Sequence, residues 1–527
     1  MGIITFSLYF FILLVPCVAY KILIYQTLPS PSHVQFSGKL ADVLVDAGHV
    51  VDKLIIEWNP YVKSNGTTKA TRIKRFTLPK PSPWLTMSHM TNPFDNRSQS
   101  SSVDDFTILR RTREEFCDAM VLDKSVLEWI KEGKYDAAMS SAYDICGFGL
   151  FHLAEIKSTF TYSATAILDD WALILGLPNM ASFIPSFLGS SKKTDRMTVL
   201  QKLNLLYHRS YQQLFIYPAI DELQTQVFRR YYGDNFPSLT ELAKRVTAMF
   251  INSHPLLELQ RPYSHKIKQI GGITLKKKSE LSMEFEKILS SSKRGTVIFS
   301  FGSLFKTSSI PDSVKRMFVK AFSSFKDYNF IWKVDEEEDH ELFKNSTNIY
   351  PIKWIQQMEL LNDNRVKLFI SHCGLNSLLE VTYSGVPVLS IPLFLDQHYN
   401  AHVLERKGTS IRLNKYELTV EILRDSIRQL LENSTYAENA RVLQKMLQNF
   451  PTKPEDTLIK WVEFGTEFKE LEKHFFMESA NLNVFEYFCL DAISLVIVAI
   501  GIILISAYFI GRLVFNVITG KLKTKME

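Results

Sequence analysis

The sequence predicts an α/β protein with two Rossmann-like domains and one membrane-spanning helix near its C-terminus. Two strand–helix–strand patterns predict the domains: one runs from Tyr20 to about Val50, and the other from Val366 to His398. Such βαβ units build parallel sheets. The third observation is an uncharged apolar run of about twenty residues, Ala492 to Gly511, which is long enough to cross a bilayer. Because 527 residues exceed the usual size of one domain, each pattern is assigned to its own domain.

The first unit begins with an apolar strand, Tyr20–Tyr25, and continues into a helix from about Gln35 to Ala47. Gly48 ends the helix, and the next strand starts at Val50. His33 lies in the loop rich in serine and proline between the strand and the helix. A neutral imidazole there can act as a general base, although a histidine in such a loop is more often simply solvated.

The second unit predicts a site for an anion. An apolar strand, Val366–Ile370, turns into a helix, Leu375–Tyr383, and a second buried strand follows from Val386 to Leu393. In parallel sheets, ligands bind beyond the carboxyl ends of the strands, where helix N-termini offer unpaired N–H groups to anions. The residues at this turn are His372, Gly374, Asn376 and Ser377. The pattern therefore predicts a phosphate-binding site.

Neighbouring residues suit the rest of a nucleotide sugar. Glu380 lies one helical turn beyond Asn376, and its carboxylate can accept two hydrogen bonds from a ribose diol. Trp354 offers a flat indole face for a base. A small-residue turn at Gly302 and Ser303 allows close approach of the backbone to a phosphate. Further hydrogen-bonding groups are supplied by Gln357, Asp396 and Gln397, the last two for sugar hydroxyls.

The run from Phe369 to Gln397 resembles the long signature of the UDP-glycosyltransferase family, which includes the animal UDP-glucuronosyltransferases. The matching positions are F-I-S-H-C-G, Ser377, Glu380, Pro387, Pro392 and Asp396–Gln397. The resemblance implies an invertebrate-like member with the GT-B architecture, in which two Rossmann-like domains face each other across a cleft. It also implies that Trp354 stacks on uracil and Glu380 binds the ribose. The remaining residues would bind the diphosphate (His372, Asn376, Ser377) and the donor sugar (Asp396, Gln397).

The same resemblance implies that His33 is the general base, because the base of the family stands in a matching S-H pair. The downstream pattern L-x-x-x-L-x-x-x-G-H is also present, from Leu40 to His49. The acidic partner of this base is expected shortly before a C-G pair, and that position holds Ser141. Asp144 is the nearby substitute, although it can equally cap the helix that follows.

The implied reaction is the inverting transfer of a hexose, glucose or glucuronic acid, from a UDP-sugar to a hydroxyl of a small lipophilic acceptor. No metal or other cofactor is expected. Glucuronidating vertebrate relatives have an arginine where this chain has Asn252, and a glucuronate carboxylate needs such a cation, so glucose is favoured. The serine at position 141 supports one alternative, a non-catalytic membrane glycoprotein partner that retains the UDP-binding fold. A nicotinamide-dependent oxidoreductase would need a G-x-G-x-x-G turn, which neither half contains.

Both ends of the chain predict a membrane protein. Residues 1–19 are predicted to be a cleaved signal peptide, because an uncharged apolar run there ends in small residues. Arg512 and three lysines follow the C-terminal apolar run, which predicts a cytosolic tail. The final K-T-K-M-E resembles a dilysine-type retrieval signal. Four sequons, at Asn65, Asn96, Asn345 and Asn433, agree with a luminal body. These features predict a single-pass type I protein of the endoplasmic reticulum membrane.

The predicted organisation has six parts. They are a signal peptide (1–19), an acceptor-binding domain (20–280), a UDP-sugar-binding domain (281–465), a membrane-proximal segment (466–490), a transmembrane helix (491–511) and a cytosolic tail (512–527). The polar stretch Gly271–Lys293 is predicted to link the two domains. Oligomeric state is left open, including a homo- or hetero-oligomer.

Composition excludes some functions. The formal charge of +6 is spread thinly along the chain, so nucleic acid is not an expected partner. Cys117, Cys146 and Cys373 stand at no metal-ligand spacing and are predicted to be buried and unpaired. The aromatic-rich stretch Phe148–Tyr232 is predicted to be mostly helical core, with some residues lining a pocket for an apolar acceptor. Its aromatic residues include Trp171, Phe183, Phe187, Tyr207, Tyr211, Phe215 and Tyr217.

Overall fold

The computed structural model describes residues 19–27, 29–86, 93–94, 103–186, 195–276, 279–302, 307–335 and 340–523. The predicted signal peptide, apart from Ala19, lies outside the described residues. So do Ser303, Phe187 and the sequon at Asn96.

The N-terminal half forms a seven-stranded sheet in which every neighbouring pair is parallel. Its strands are β1 (Lys21–Thr27), β2 (Val50–Ile56), β3 (Arg72–Phe76), β4 (Ala137–Ser141), β5 (Ser158–Ser163), β6 (Ala248–Ile251) and β7 (Ile267–Gln269). They lie in the order β3-β2-β1-β4-β5-β6-β7. The central strands β1 and β4 are buried almost throughout because helices cover both faces of the sheet.

The C-terminal half forms a six-stranded parallel sheet. Its strands are β8 (Gly295–Ser300), β9 (Tyr328–Lys333), β10 (Ile349–Ile352), β11 (Val366–Ser371), β12 (Val388–Ser390) and β13 (Ser410–Arg412). They lie in the order β10-β9-β8-β11-β12-β13. Chain order reverses between β8 and β11, which is the kind of switch point where α/β proteins bind ligands.

Helices surround both sheets. Those of the N-terminal half are α1 (Pro31–Asp46), α2 (Val103–Leu122), α3 (Lys124–Gly133), α4 (Cys146–Leu153), α5 (Asp169–Ile174), α6 (Val199–Tyr211), α7 (Tyr217–Tyr232) and α8 (Leu239–Lys244). Those that follow are α9 (Met283–Ser291), α10 (Asp312–Phe322), α11 (Gln357–Leu361), α12 (Leu375–Ser384), α13 (Gln397–Arg406), α14 (Val420–Glu432), α15 (Ser434–Gln448), α16 (Pro454–Glu467), α17 (Leu471–His474), α18 (Val484–Tyr487) and α19 (Leu490–Lys523). The predicted class, two Rossmann-like domains, is confirmed.

The two domains pack against each other. Tyr399 and Val403 of α13 belong to the same buried cluster as strands β1 and β2 of the N-terminal domain. In the other direction, Phe94 packs into the core of the C-terminal domain, with its ring 6.0 Å from that of Phe301. Lys415 donates a hydrogen bond to the carbonyl oxygen of Pro93 at 2.6 Å. Each domain therefore contributes side chains to the core of the other.

Two local predictions need correction. The first helix begins at Pro31 rather than near Gln35, because proline is well accommodated in the first turn of a helix. His33 consequently lies in the first turn of α1 and not in a loop. The predicted linker Gly271–Lys293 is interrupted by α9, whose Phe285 and Leu289 are buried in the C-terminal domain.

The prediction that Cys117 and Cys146 are unpaired is wrong. They form a disulfide that joins α2 to α4, with 5.8 Å between their Cα atoms. Their sequence separation of 29 matches no local motif, and the pair forms only because the two helices pack in one core. Cys373 is free and buried, as predicted.

The aromatic-rich stretch is less buried than predicted. Trp171 is a core residue, 1% exposed, and donates a hydrogen bond to the carbonyl oxygen of Ala142. Phe183, by contrast, is 40% exposed, and the aromatic residues of α6 and the turn after it are also exposed. Periodicity alone could not separate these cases, because an apolar helix face looks the same in sequence whatever covers it.

The C-terminal helices return to the N-terminal domain. Leu458 and Val462 of α16 are buried beneath the N-terminal sheet. Tyr20 donates a hydrogen bond to Glu467 at 2.8 Å. The chain then enters α19, in which the 30 residues Leu490–Thr519 are apolar enough to cross a membrane and are not buried inside the protein. This span is longer than the predicted 491–511.

Candidate active site

The predicted phosphate site lies at the N-terminus of α12. Strand β11 ends at Ser371, the chain turns through Cys373 in a left-handed conformation, and α12 starts at Leu375. Asn376 and Ser377 occupy the first turn of the helix, where backbone N–H groups have no partner within the helix. The arrangement matches the predicted βαβ unit and directs a positive helix end toward the cleft.

The ring of His372 is held between two glycines. A Cβ atom at Gly302 would lie 2.7 Å from Cε1 of His372, and one at Gly374 would lie 2.7 Å from Nε2. Gly302 also has a φ of 82°, which side chains rarely adopt. Both glycines therefore make room for the imidazole. Burial lowers the pKa of His372 to about 4, so the ring is neutral at physiological pH.

Lys333, which the sequence reasoning missed, reinforces this turn. It is the last residue of β9, and its ammonium group donates a hydrogen bond to the carbonyl oxygen of Gly302. Burial lowers the pKa of Lys333, and the charge of Asp335 opposes that shift. The only sequence signal was its place at the end of a strand adjacent to β8. A cationic group beside this turn favours a phosphate.

The predicted ribose-binding residues contact one another. Gln357 donates hydrogen bonds to the carboxylate of Glu380 and, at 3.3 Å, to the hydroxyl of Ser377. Burial raises the pKa of Glu380 to about 7, and the bond from Gln357 opposes the shift. Trp354 lies just before α11 and is 74% exposed, so its indole face is open to a flat partner.

Asp396 and Gln397 lie at the start of α13. Asp396 accepts a hydrogen bond from the amide of Asn400 at 2.8 Å, and that amide also binds the carbonyl oxygen of Cys373. The side-chain oxygen of Gln397 accepts from the backbone N–H groups of Leu393, at 2.9 Å, and Phe394. The side-chain oxygen of Gln397 therefore stabilises the turn before α13. Its NH₂ group is the candidate contact to the predicted donor sugar.

His33 lies on the N-terminal side of the cleft. Its Nδ1 atom is 2.5 Å from the hydroxyl of Ser30, and its ring meets that of Tyr143 with centroids 4.6 Å apart. Burial lowers the pKa of His33 to about 4, so the imidazole is neutral and can accept a proton. With Nδ1 bound to Ser30, the other ring nitrogen, Nε2, is the one available to a substrate.

Asp144 has other partners. Its carboxylate accepts hydrogen bonds from the hydroxyl of Tyr25, at 3.1 Å, and from the backbone N–H of Cys146, at 2.8 Å. Within the described part of the chain, no hydrogen bond joins Asp144 to His33. Burial raises the pKa of Asp144 to about 6. The hydroxyl of Ser141 shares a hydrogen bond of 2.9 Å with Thr27.

The two halves of the site meet directly. Asn252, at the end of β6, donates a hydrogen bond from Nδ2 to Oδ1 of Asn376 at 2.9 Å, and the same group contacts the carbonyl oxygen of Ala164. Burial raises the pKa of Tyr143, and the charge of Asp396 across the cleft adds to the increase. The base candidate and the phosphate site therefore open onto one cleft.

Among the residues that the structure describes, no three histidine, cysteine, aspartate or glutamate side chains are close enough to hold a metal ion.

Two parallel Rossmann-type sheets that face a shared cleft define the GT-B fold. Solved structures agree. The glycosyltransferase of kitacinnamycin aligns with a TM-score of 0.58 at 15% identity, over 85% of this chain and 99% of that chain. The glycosyltransferase VinC, in complex with dTDP, aligns with a TM-score of 0.55 at 14% identity over the same shares.

The chain belongs to the family described as UDP-glucoronosyl and UDP-glucosyl transferase, whose model matches residues 28–525. It is 27% identical over 477 residues to ugt-50 of Caenorhabditis elegans, provisionally named a UDP-glucuronosyltransferase, and 90% of each chain is covered. It is 30% identical over 384 residues to UDP-glycosyltransferase UGT5 of Dactylopius coccus, covering 71% of this chain and 70% of that protein. The predicted family, in an invertebrate-like form, is confirmed, and the chain is a UDP-sugar-dependent glycosyltransferase.

Proposed function

We propose that this enzyme transfers a hexose from a UDP-sugar to a hydroxyl of a small lipophilic acceptor, with inversion at the anomeric carbon. The preferred donor is UDP-glucose rather than UDP-glucuronate. The observation that supports this most is the position of His33. It is a half-buried neutral imidazole, and its neighbour Tyr143 lies near enough to Asp396 for that charge to help raise the pKa of Tyr143. A base on one wall and a phosphate site on the other suit a direct displacement.

Donor binding rests on the C-terminal domain. The free N–H groups of α12, together with Asn376 and Ser377, hold the diphosphate, and Lys333 adds positive charge beside Gly302. Glu380 accepts hydrogen bonds from the ribose diol. Trp354 provides the stacking face for uracil. Hydrogen bonds within the protein hold the side chains of Asn376, Glu380 and Lys333 before the donor arrives, which reduces the ordering that binding requires.

The chemical step is a single displacement. The acceptor oxygen forms a bond to the anomeric carbon while the bond from that carbon to the UDP oxygen breaks, and UDP leaves with the electron pair. The acceptor proton moves to Nε2 of His33. The positive end of α12 stabilises the charge that develops on UDP. Because the attack comes from the face opposite UDP, an α-linked donor gives a β-glycoside.

His33 is oriented by a hydroxyl rather than by a carboxylate. Its Nδ1 shares a hydrogen bond with the hydroxyl of Ser30, whereas Asp144 is bonded to Tyr25 and Cys146. In the tautomer that the proposed reaction uses, Nδ1–H donates to the hydroxyl of Ser30 and Nε2 carries the lone pair. Ser30 therefore acts as the positioning residue that the family assigns to an acid.

Glucose is the preferred sugar because Asn252 brings no charge to the donor site. Its NH₂ group already donates to Asn376 and to Ala164, so it is poorly placed to compensate a carboxylate. A buried glucuronate without a cation would lose solvation that the site does not replace. Glucose carries a hydroxymethyl group in place of that carboxylate, and this group needs only a neutral hydrogen-bonding partner.

The catalytic body is attached to the endoplasmic reticulum membrane on its luminal side. Support comes from α19, from the basic residues that follow its apolar part, and from a disulfide between Cys117 and Cys146, which suits an oxidising compartment. A non-catalytic partner protein is the alternative, since Asp144 does not contact the base. Oligomerisation with itself or a relative is compatible with both.

Donor competition tests this proposal. Isolated membranes with the full-length protein receive UDP-glucose and UDP-glucuronate at equal concentration, with a mixed panel of phenols and lipophilic alcohols, and the glycosides are quantified by mass. We expect β-glucosides to dominate. A majority of glucuronides would overturn the donor assignment, and the absence of both UDP release and glycosides with either donor would favour the non-catalytic alternative.

A further inference from the structure

The residues predicted to contact the donor sugar lie on a turn with an unusual backbone. This turn, Leu393–Gln397, connects the end of β12 to α13 and is referred to below as the donor-sugar turn. Leu395, in its middle, has a φ of 50°, a left-handed conformation that residues with a side chain rarely adopt. Such a conformation persists where surrounding contacts hold it. The shape of the turn therefore depends on the groups that bind to it.

Side chains bind the backbone of Leu393, the first residue of the turn, on both sides. Its N–H group donates to Oε1 of Gln397 at 2.9 Å, a contact within the turn. Its carbonyl oxygen accepts a hydrogen bond at 2.8 Å from Nζ of Lys415, which follows β13 and is only 5% exposed. A hydrogen bond from a charged donor is stronger than one from a neutral donor. Lys415 therefore anchors the turn from outside.

The same ammonium group binds the other domain. Nζ of Lys415 also donates to the carbonyl oxygen of Pro93 at 2.6 Å. Pro93 and Phe94 lie between β3 and α2 of the N-terminal domain. Phe94 packs against the apolar core of the C-terminal domain, and Leu393 and Phe394 belong to that core. One buried cation thus joins the donor-sugar turn to the N-terminal domain.

Phe94 also contacts the phosphate side of the donor site. Its ring lies 6.0 Å from that of Phe301, and Phe301 precedes Gly302, one of the two glycines that make room for His372. This contact is apolar and therefore has no preferred direction. The hydrogen bond from Lys415 to the donor-sugar turn does have one. Of the two, Lys415 is thus the residue that can fix the geometry of a loop at the donor.

We propose that Lys415 is a positioning residue for the donor sugar, and that its bond to Pro93 couples sugar binding to the closed arrangement of the two domains. Lys415 acts through the turn that carries Asp396 and Gln397, without touching the sugar itself. A turn held in place before binding costs less to order. Separation of the domains would remove the Pro93 partner, so the turn is best ordered when the cleft is closed. The inference rests on the proposed function and on the sugar contacts predicted for Asp396 and Gln397.

Calorimetric titration of the full-length protein with UDP-glucose and with UDP tests the proposal. Because UDP lacks the sugar, the ratio of the two affinities isolates the sugar contribution, and the ratio does not depend on the fraction of folded protein. Lys415→Met keeps the length of the side chain and removes both hydrogen bonds. We expect the affinity for UDP-glucose relative to UDP to fall about tenfold, while the affinity for UDP stays close to that of the wild type. The matched control is Lys293→Met, an exposed lysine of the same domain, which should leave the ratio unchanged.

A double-variant cycle shows whether Lys415 acts through the turn. Asp396→Ala removes a predicted sugar contact directly, so the combined variant should lose less than the product of the two single losses. Independent losses, or equal losses for UDP and UDP-glucose in Lys415→Met, would overturn the positioning role. If Asp396→Ala lowers the ratio and Lys415→Met does not, only this inference fails. If Asp396→Ala itself leaves the ratio unchanged, the predicted sugar contact fails, and the inference fails with it.

The coupling between the domains has its own test. Phe94→Ala leaves Lys415 in place and removes the apolar anchor of the residues that offer the Pro93 carbonyl oxygen. We expect a smaller fall in the ratio, about two- to threefold, because only the partner in the other domain is loosened. Phe94 is half-buried, and a native circular dichroism spectrum verifies that the variant is folded. A wild-type ratio in this variant would overturn the coupling to the N-terminal domain.

Discussion

The two halves of the catalytic cleft differ in how their residues are distributed along the chain. On the donor side, the stretch from Val366 to His398 supplies most of the site through one strand–helix–strand unit. On the acceptor side, Ser30, Tyr143 and Asn252 follow three different strands, β1, β4 and β6. The donor half is therefore readable from local sequence, whereas the acceptor half exists only after the sheet has assembled. A site built on one helix N-terminus can be predicted from a single stretch of sequence. A site built from the ends of several strands depends on the order of those strands in the sheet.

The largest effect should come from the acceptor side. Replacing His33 by alanine removes the only proposed proton acceptor, so turnover should fall by about two to four orders of magnitude. Affinity for UDP should remain close to that of the wild type, because His33 belongs to the other wall of the cleft. Single-turnover assays and calorimetric titration with UDP measure the two quantities separately.

A matched control for this variant is His265→Ala, an exposed histidine of the same domain, which should leave turnover unchanged. Glucosylation of a neutral alcohol by the His33 variant at the wild-type rate would remove His33 from the mechanism. If the His33 variant also loses affinity for UDP, His33 contributes to donor binding, which contradicts its assignment to the acceptor side alone.

The second effect belongs to the donor side. Glu380→Ala should weaken UDP binding by about 1–3 kcal/mol, since the ribose hydroxyls lose their acceptor in a partly desolvated site. Trp354→Ala should weaken binding as well by removing the stacking face. Titration of each variant with UDP measures both losses, with Glu421→Ala, in the first turn of α14, as the control. Unchanged affinity in both variants would exclude them from the site.

Some parts of the fold and of the candidate site can be predicted from the sequence, and others cannot. The fold class, the α12 turn and the positions of Asn376 and Ser377 follow from apolar runs, small-residue turns and helix spacing, all of which are local. Lys333 was not predicted, because its contact with Gly302 depends on the pairing of β9 with β8. Asp144 was nominated for its nearness in sequence to the expected position, yet its bonds are to Tyr25 and Cys146.

The disulfide and the exposure of the apolar face of α6 were not predicted, for related reasons. Cys117 and Cys146 approach each other only through helix packing, which spacing does not encode. The aromatic residues of α6 have the same periodicity as a core helix, and only the surroundings of the helix decide whether that face is covered. In both cases the sequence specifies a local element, and the missing information is which other element lies against it.

The third effect is a pH dependence of donor binding. Burial raises the pKa of Glu380 to about 7, so below that pH its carboxyl group is protonated and loses an acceptor for the ribose. Affinity for UDP-glucose should be constant above about pH 8 and fall about tenfold between pH 8 and pH 6. UDP-glucose is preferred to UDP as the ligand because it lacks a terminal phosphate that titrates nearby. Glu380→Gln should flatten the profile, and a wild-type profile that is already flat would exclude titration of Glu380 as its cause.

The smallest effect tests how the base is oriented. Ser30→Ala removes the partner of Nδ1 of His33 and should lower kcat about three- to tenfold with little change in KM for UDP-glucose, the usual consequence of losing one orienting hydrogen bond. Ser30→Thr keeps the hydroxyl and should restore most of the rate, which a purely structural role for the serine would not explain. Asp144→Asn is nearly isosteric and keeps a hydrogen-bonding group beside Tyr25, so it should change kcat by less than about twofold. If Asp144→Asn proves more damaging to kcat than Ser30→Ala, the carboxylate acts on the base after all, and the difference between the two halves of the cleft is smaller than the geometry indicates.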